Sequence, residues 1–335
     1  VCALAMVKQA AADANHQLGY VNDKKHAAIA NACTQLIEGK HHDQFIVDMI
    51  QGGAGTSTNM NANEVIANLA LESMGKDKGQ YSFLHPNNDV NMAQSTNDAY
   101  PTAIRVGLLL GHNDLLVSLE RLIEAFADKG NEFSHVLKMG RTQLQDAVPM
   151  TLGQEFNAFA TTLEKDVRLL DQLLPDGLYY MNLGGTAIGT GINAPAHYTE
   201  LSIQALAEIS QMPIKSAPDL IEATSDMGDF VLLSGALKRT ATKLSKIAND
   251  LRLLSSGPRA GLQEVYLEAR QPGSSIMPGK VNPVIPEAVN ISAFQVIGND
   301  LAITFAAEAG QLQLNAMEPL IAFKLFESID LMGKA

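Results

Sequence analysis

Between residues 229 and 254, Phe230, Leu233, Leu237, Thr240, Leu244, Ile247, Leu251 and Leu254 recur at alternating spacings of three and four. A helix turns once every 3.6 residues, so these positions fall on one stripe that is buried only by lying alongside other long helices. Two more runs repeat the pattern: Leu152, Phe156, Phe159, Leu163, Val167 and Leu170, and then Leu115, Leu119, Leu122 and Phe126. The stretch 287–313, EAVNISAFQVIGNDLAITFAAEAGQLQ, is instead apolar on more than one face. That is the pattern of a helix surrounded by other helices, including those of further chains. Runs of alternating β-branched residues are short. The fold class expected is therefore all-α, dominated by long helices.

Breakers mark the inter-helix loops: Gly52 to Gly55, Gly75 to Pro86, Pro175-Asp176-Gly177, the glycine-rich 182–195 and the long 256–279. No fixed-period repeat or low-complexity tract appears, which argues against a solenoid. The natural division is a region over residues 1–97 and a helical body over 98–335. The opening VCALAMVKQAAADAN is an Ala-rich helical pattern without a basic n-region or cleavage site, so it reads as the middle of a helix and as truncated at its start. The closing IAFKLFESIDLMGKA likewise stops within an amphipathic stretch.

Charge and composition narrow the function. With 24 basic and 36 acidic residues the net charge is −12, the wrong sign for a general nucleic-acid or anionic-membrane binder. No apolar run approaches the roughly 18 to 20 residues needed to span a bilayer. The two cysteines, Cys2 and Cys33, are too few for a disulfide framework and lack metal-ligand spacing, so a reducing cytoplasm is the expected location. His41-His42 and the other histidines lack a partner at ligand spacing and read as solvated or capping residues. No metal and no cofactor is expected. NLGGTAIGTG has glycines enough for a phosphate cradle, but no GK[ST] follows and no strand precedes it, so it reads as a tight inter-helix loop.

GSSIMPGKVNP, residues 273–283, is more informative. Gly273 and Gly279 permit a mobile loop, Ser274 and Ser275 bring hydroxyls, and Lys280 and Asn282 bring a cation and an amide suited to a carboxylate. On chemistry alone this segment is either a carboxylate-binding catalytic loop or a helix-capping loop.

The segment also resembles the signature of the fumarase/aspartase superfamily. Two further blocks stand in that family's order: GTSTNMNANE (55–64) with QSTNDAYPT (94–102), and GRTQLQDAVPMTLGQEF (140–156). The resemblance covers essentially the whole chain. It implies long central helices packed with those of three other subunits in a homotetramer, with active sites shared between chains. It also implies an N-terminal domain over 1–97, a central bundle over 98–335, and absence of the family's small C-terminal domain. The Pro175-Asp176-Gly177 break departs from the continuous helix that family members usually have there.

Superfamily members eliminate a group from succinyl-type substrates to leave fumarate. GRTQLQDA, AGQLQLNAMEP (309–319) and DLIEATSDMGDF (219–230) resemble the aspartate ammonia-lyases more than the fumarases, which usually carry histidine after the threonine of the first stretch. The implied reaction is reversible elimination of ammonia from L-aspartate, a small dicarboxylate. By resemblance Ser274 is the catalytic base on a mobile loop. Thr56, Ser95, Thr96 and Ser275 hold the carboxylate that becomes the aci-carboxylate, Thr142, Lys280 and Asn282 hold the other, and Asn97 with Gln143 faces the ammonium. Gln143 also reads as a hydrogen-bonding spacer. Arg141 and Glu287 read as ion-pairing residues that position loops, and divalent-cation activation has no assignable residues. Fumarate hydratase, and a catalytically silent helical scaffold, remain as alternatives.

Overall fold

The computed structural model describes residues 1–173 and 177–335, so Pro175 and Asp176 of the expected break lie outside the described residues. Helices carry the chain, as the periodicity requires. They are α1 (Cys2–Gln17), α2 (Asp23–Ile37), α3 (Thr56–Ser73), α4 (Thr96–Glu132), α5 (Leu152–Leu173), α6 (Tyr198–Ser210), the short α7 (Glu222–Ser225), α8 (Gly228–Leu254), α9 (Val284–Glu308) and α10 (Glu318–Lys334). The stripe of α8 is buried from Phe230 through Ile247 and again at Leu254. The apolar run after 287 stays helical only to Glu308, where Asn315 Nδ2 takes the carbonyls of Ala306 and Ala307 at 3.0 and 3.1 Å and so caps the last turn.

Two small sheets depart from the helical pattern. Strands β1 (Leu137–Thr142) and β2 (Gln145–Thr151) form an antiparallel hairpin, and β3 (Tyr180–Met181) pairs in parallel with β4 (Lys215–Ser216). The hairpin is hidden in the sequence because Gly140 and Pro149 interrupt it, and its turn lacks the usual Asn-Gly or Asp-Gly signal.

The chain divides into two compact units. One comprises Val1–Leu110, Leu173–Val231 and Ala302–Phe326; the other comprises Gly111–Gln172, Leu232–Leu301 and Glu327–Ala335. In the first, α1, α2 and α3 pack through small residues such as Ala5, Ala12, Ala32 and Ala67, with Ile29, Leu36, Ile66 and Leu71 filling between them. Alanine lets helix axes approach closely, so this core is tight despite few large side chains. Tyr198 of α6 closes against Ala11 and Ala14. In the second unit Phe126, Phe133, Phe156 and Phe159 meet edge to face at centroid distances of 5.5 to 6.1 Å. There too the buried Asp166 of α5 is neutralised from α8 by Lys243 at 2.8 Å and Arg239 at 3.2 Å. Among the described residues no helix is long and apolar enough to cross a membrane.

Candidate active site

In the first unit the expected site residues stand at two helix starts. The chain enters α3 through Gly53, Ala54 and Gly55, all with positive φ. A Cβ at Gly55 would overlap the Tyr100 ring, so only glycine lets the turn close there. Thr56, exposed at the head of α3, anchors itself by donating from Oγ1 to Gly53 O at 2.8 Å. Ser95 caps α4: its Oγ accepts the Asn97 N–H at 3.2 Å, while Asp98 reaches back to accept the Ser95 N–H at 2.9 Å. The arrangement is close to a capping box, with the serine oxygen serving the N–H one residue earlier, and the sequence spells it as Ser-x-x-Asp.

Asp98 also accepts the N–H groups of Gly184 and Thr186 at 3.1 and 2.9 Å, tying the glycine-rich loop to the start of α4. Burial pushes its carboxyl up to about 6, against the pull of those three backbone bonds and of Lys8. Asn97 joins the same loop, its Nδ2 donating to Ala187 O at 2.8 Å. The glycine segment is thus a packing loop, as expected, although the short strand β3 does precede it directly, and it braces the expected site residues at the start of α4. Asn59, one turn into α3, donates to Thr96 Oγ1 at 3.1 Å and so links the two helix starts.

In the second unit Thr142 and Gln145 close the hairpin around a two-residue turn, Gln143-Leu144, with φ of 53° and 63°. Both residues are left-handed without being glycine, a conformation that costs energy and presents Gln143 at an exposed tip. The hairpin base is held electrostatically. Buried Lys138 pairs with Glu155 and Glu264, and Arg141 also pairs with Glu264. Burial opposes the Glu264 charge, but hydrogen bonds from Lys138 and Arg141 prevail and hold its carboxyl below the usual range. Arg141 is accordingly an ion-pairing residue, as expected.

Glu264 belongs to the long segment that continues into the signature loop, so this cluster fastens the hairpin to the chain bearing Ser274. In the loop, Ser274 Oγ accepts the backbone N–H groups of Ile276 and Met277, each at 3.2 Å. Two such donors stabilise negative charge on oxygen, which a serine acting as a base requires. Asn282 Nδ2 donates to Gly273 O at 2.8 Å, and Gly273 N–H to Lys280 O at 3.1 Å, closing the loop on itself. Ser274, Met277 and Lys280 line one open cleft. Ser275 and Lys280 are exposed. Among the described residues there is no group of three or more His, Cys, Asp or Glu able to hold a metal ion.

The expected residues therefore gather in two sets: Thr56, Ser95, Thr96 and Asn97 in the first unit, and Thr142, Gln143, Ser274, Ser275, Lys280 and Asn282 in the second. Sequence reading missed the residues that brace them, namely Lys8, Asn59, Asn91, Asp98, Asn182 and Glu264. For Lys8 a signal existed, since it interrupts an alanine-rich apolar helix and is wholly buried there.

Comparison with known proteins decides the family. The sequence pattern of the family described as Lyase matches residues 1–298. The chain belongs to that lyase family. An aspartate ammonia-lyase from Pseudomonas canavaninivorans is 74% identical over the whole of this chain and 71% of its own length. Among solved structures, a fumarate lyase:delta crystallin from Brucella melitensis superimposes with a TM-score of 0.97 at 60% identity, covering 100% of this chain and 72% of that one. A class II fumarase from Schistosoma mansoni superimposes with a TM-score of 0.95 at 38% identity, over 99% of this chain and 72% of that one. The long-helix fold expected of the lyase family is the one observed.

Proposed function

We propose that this lyase-family chain eliminates ammonia from L-aspartate to give fumarate, reversibly, as a homotetramer in the cytoplasm. The observation that carries the reaction is the 74% identity with an aspartate ammonia-lyase across every residue of the chain, against 38% with a fumarase.

The difficult step is removal of a C3 proton beside a carboxylate, because the carbanion electrons must spread into that carboxylate as an aci-carboxylate. Ser274 takes this proton as an alkoxide, whose negative charge the N–H groups of Ile276 and Met277 stabilise. Ser95, Thr96 and Ser275 donate hydrogen bonds to the carboxylate that gains charge, with Thr56 joining them once its hydroxyl turns from Gly53 O, while Thr142, Lys280 and Asn282 hold the other. The C2–N bond then breaks with its electron pair going to nitrogen, so the ammonium departs as neutral ammonia without needing a proton. Asn97 and Gln143 face that ammonium. A glutamine cannot protonate a leaving hydroxide, which favours amine over water as the group lost.

The tetramer accounts for α9. Ile291, Phe294 and Leu301 project from it 59 to 69% exposed, and Gly298 stands between them with open space where a side chain would be. Their spacings of three and four describe a seam without a partner inside one chain. The free thiols Cys2 and Cys33 support a reducing location.

Two assays test the reading: ammonia released from L-aspartate, and fumarate formed from malate. Ammonia release is expected. Malate dehydration without ammonia would make the chain a hydratase, and an intact assembly with neither activity would make it a scaffold.

A further inference from the structure

Lys8 of α1 is fully buried, and no step of the reaction uses it. Its Nζ donates to Asn91 Oδ1 and to Gln94 Oε1, both at 2.8 Å. The same Asn91 oxygen accepts from Asn59 Nδ2 at 3.2 Å and from Asn63 Nδ2 at 3.1 Å. Asn59 Nδ2 in turn donates to Thr96 Oγ1 at 3.1 Å.

Each link of this chain fixes the next. An ammonium has donors only, so the Asn91 atom facing it must be the amide oxygen. The Asn91 NH2 then turns away, to Gln94 O at 3.1 Å. Facing an oxygen, Asn59 must present its own NH2, and Thr96 Oγ1 must accept from it. A hydroxyl has one hydrogen, and with its oxygen receiving from Asn59 that hydrogen is left to point elsewhere.

We propose that Lys8 is a positioning residue which, through Asn91 and Asn59, fixes the polarity of the Thr96 hydroxyl so that its hydrogen is donated to the substrate carboxylate. This rests on the reading above in which Thr96 binds that carboxylate. Burial pulls Lys8 down to about 7, with the negative charge of Asp98 acting the other way. A buried amine is a poor choice for filling space, which a methionine would do without the penalty, and two amide oxygens at 2.8 Å take its N–H donors. An apolar residue at position 8 would leave the Asn91 amide free to rotate, and the donor direction of the whole chain would no longer be set.

The test is a double-mutant cycle of Lys8→Met and Thr96→Val, read as the dissociation constant for succinate, a dicarboxylate that cannot react, with kcat and KM for L-aspartate alongside. Each single change is expected to weaken succinate binding about tenfold, and the double variant to be no weaker than the worse single one. Lys8→Arg, which keeps a donor-only cation, is expected to restore most of the loss. Should Lys8→Met fail to fold, Asn59→Leu cuts the same chain without touching Lys8 and should show the same non-additivity with Thr96→Val. Losses that simply add, or unchanged succinate binding in folded Lys8→Met, would overturn the inference while wild-type ammonia release leaves the proposed function standing. A wild-type chain that neither binds succinate nor releases ammonia would overturn both.

Discussion

Asn182 Nδ2 donates at 2.9 Å to the carbonyl of Asn97, the carbonyl that Pro101 leaves without its helical partner. Proline has no N–H, so a proline six residues into α4 orphans the acceptor four positions back. Asn182 serves this acceptor from the glycine-rich loop, and is itself held by Thr102 at 3.3 Å and Thr224 at 3.0 Å. Asn182→Leu is expected to strand these groups and destabilise the fold by about 1–3 kcal/mol, seen as a lower melting temperature. Pro101→Ala supplies an N–H for Asn97 and should recover part of that loss in the double variant. Strict additivity of the two changes in thermal melts would show that they do not share this carbonyl.

Ser274 and Lys280 line the same cleft but should fail differently when replaced. Under the proposed reaction Ser274→Ala removes the base while leaving both carboxylate-binding sets, so kcat should fall by about 10² to 10⁴ with succinate binding retained. On the same reading Lys280→Ala should weaken binding as well, because its charge would meet a carboxylate in ground and transition states alike. If Ser274→Ala keeps more than about a tenth of wild-type kcat, the loop is a binding lid and another group takes the proton.

Glu318, first residue of α10, is buried, and among the described residues neither of its carboxylate oxygens has a hydrogen-bond partner. Burial pushes its carboxyl well above the usual range, opposed by the Arg105 charge. The folded state therefore binds this proton more tightly than the unfolded state, and the contribution of Glu318 to stability falls as pH rises above about 4.3. Glu318→Gln keeps the shape without the titration. The melting temperature of the variant should gain on the wild type steadily between about pH 5 and about pH 8. A gap that stays constant over that range would mean that ionising Glu318 costs the fold nothing.

Phe294→Arg places a charge in the exposed seam of α9, where Phe294 is 61% exposed. Under the homotetramer reading it should lower the sedimentation coefficient and reduce activity while leaving the helical circular dichroism intact. A tetramer that survives this change at micromolar concentration would place the assembly surface elsewhere.

Helices were legible in this sequence because burial of a stripe imposes a period, and the α8 seam from Phe230 to Leu254 states that period for seven turns' worth of chain. The hairpin was not, since its strands are held by the Lys138, Arg141 and Glu264 ion pairs rather than by an alternating apolar face. The signature loop could be read because Ser274, Lys280 and Asn282 are chemically conspicuous within eleven residues. What braces it and its counterpart could not. Asn59 and Asn91 are 32 residues apart in the chain, and nothing local says that two common polar residues will share one oxygen with a buried lysine.

The Gln143-Leu144 turn has a further bearing on how this chain can change over generations. Each left-handed residue costs about 1 kcal/mol that glycine would not, so drift toward greater heat resistance has an open route at Leu144, whose side chain is exposed. Under the proposed reaction the same route is closed at Gln143, because glycine there would relax the backbone and discard the amide in one step. Descendants adapted to high temperature should therefore accumulate change at the second turn position and stay constant at the first. A lineage that loses the glutamine would mark the point at which the turn has been released from serving the reaction.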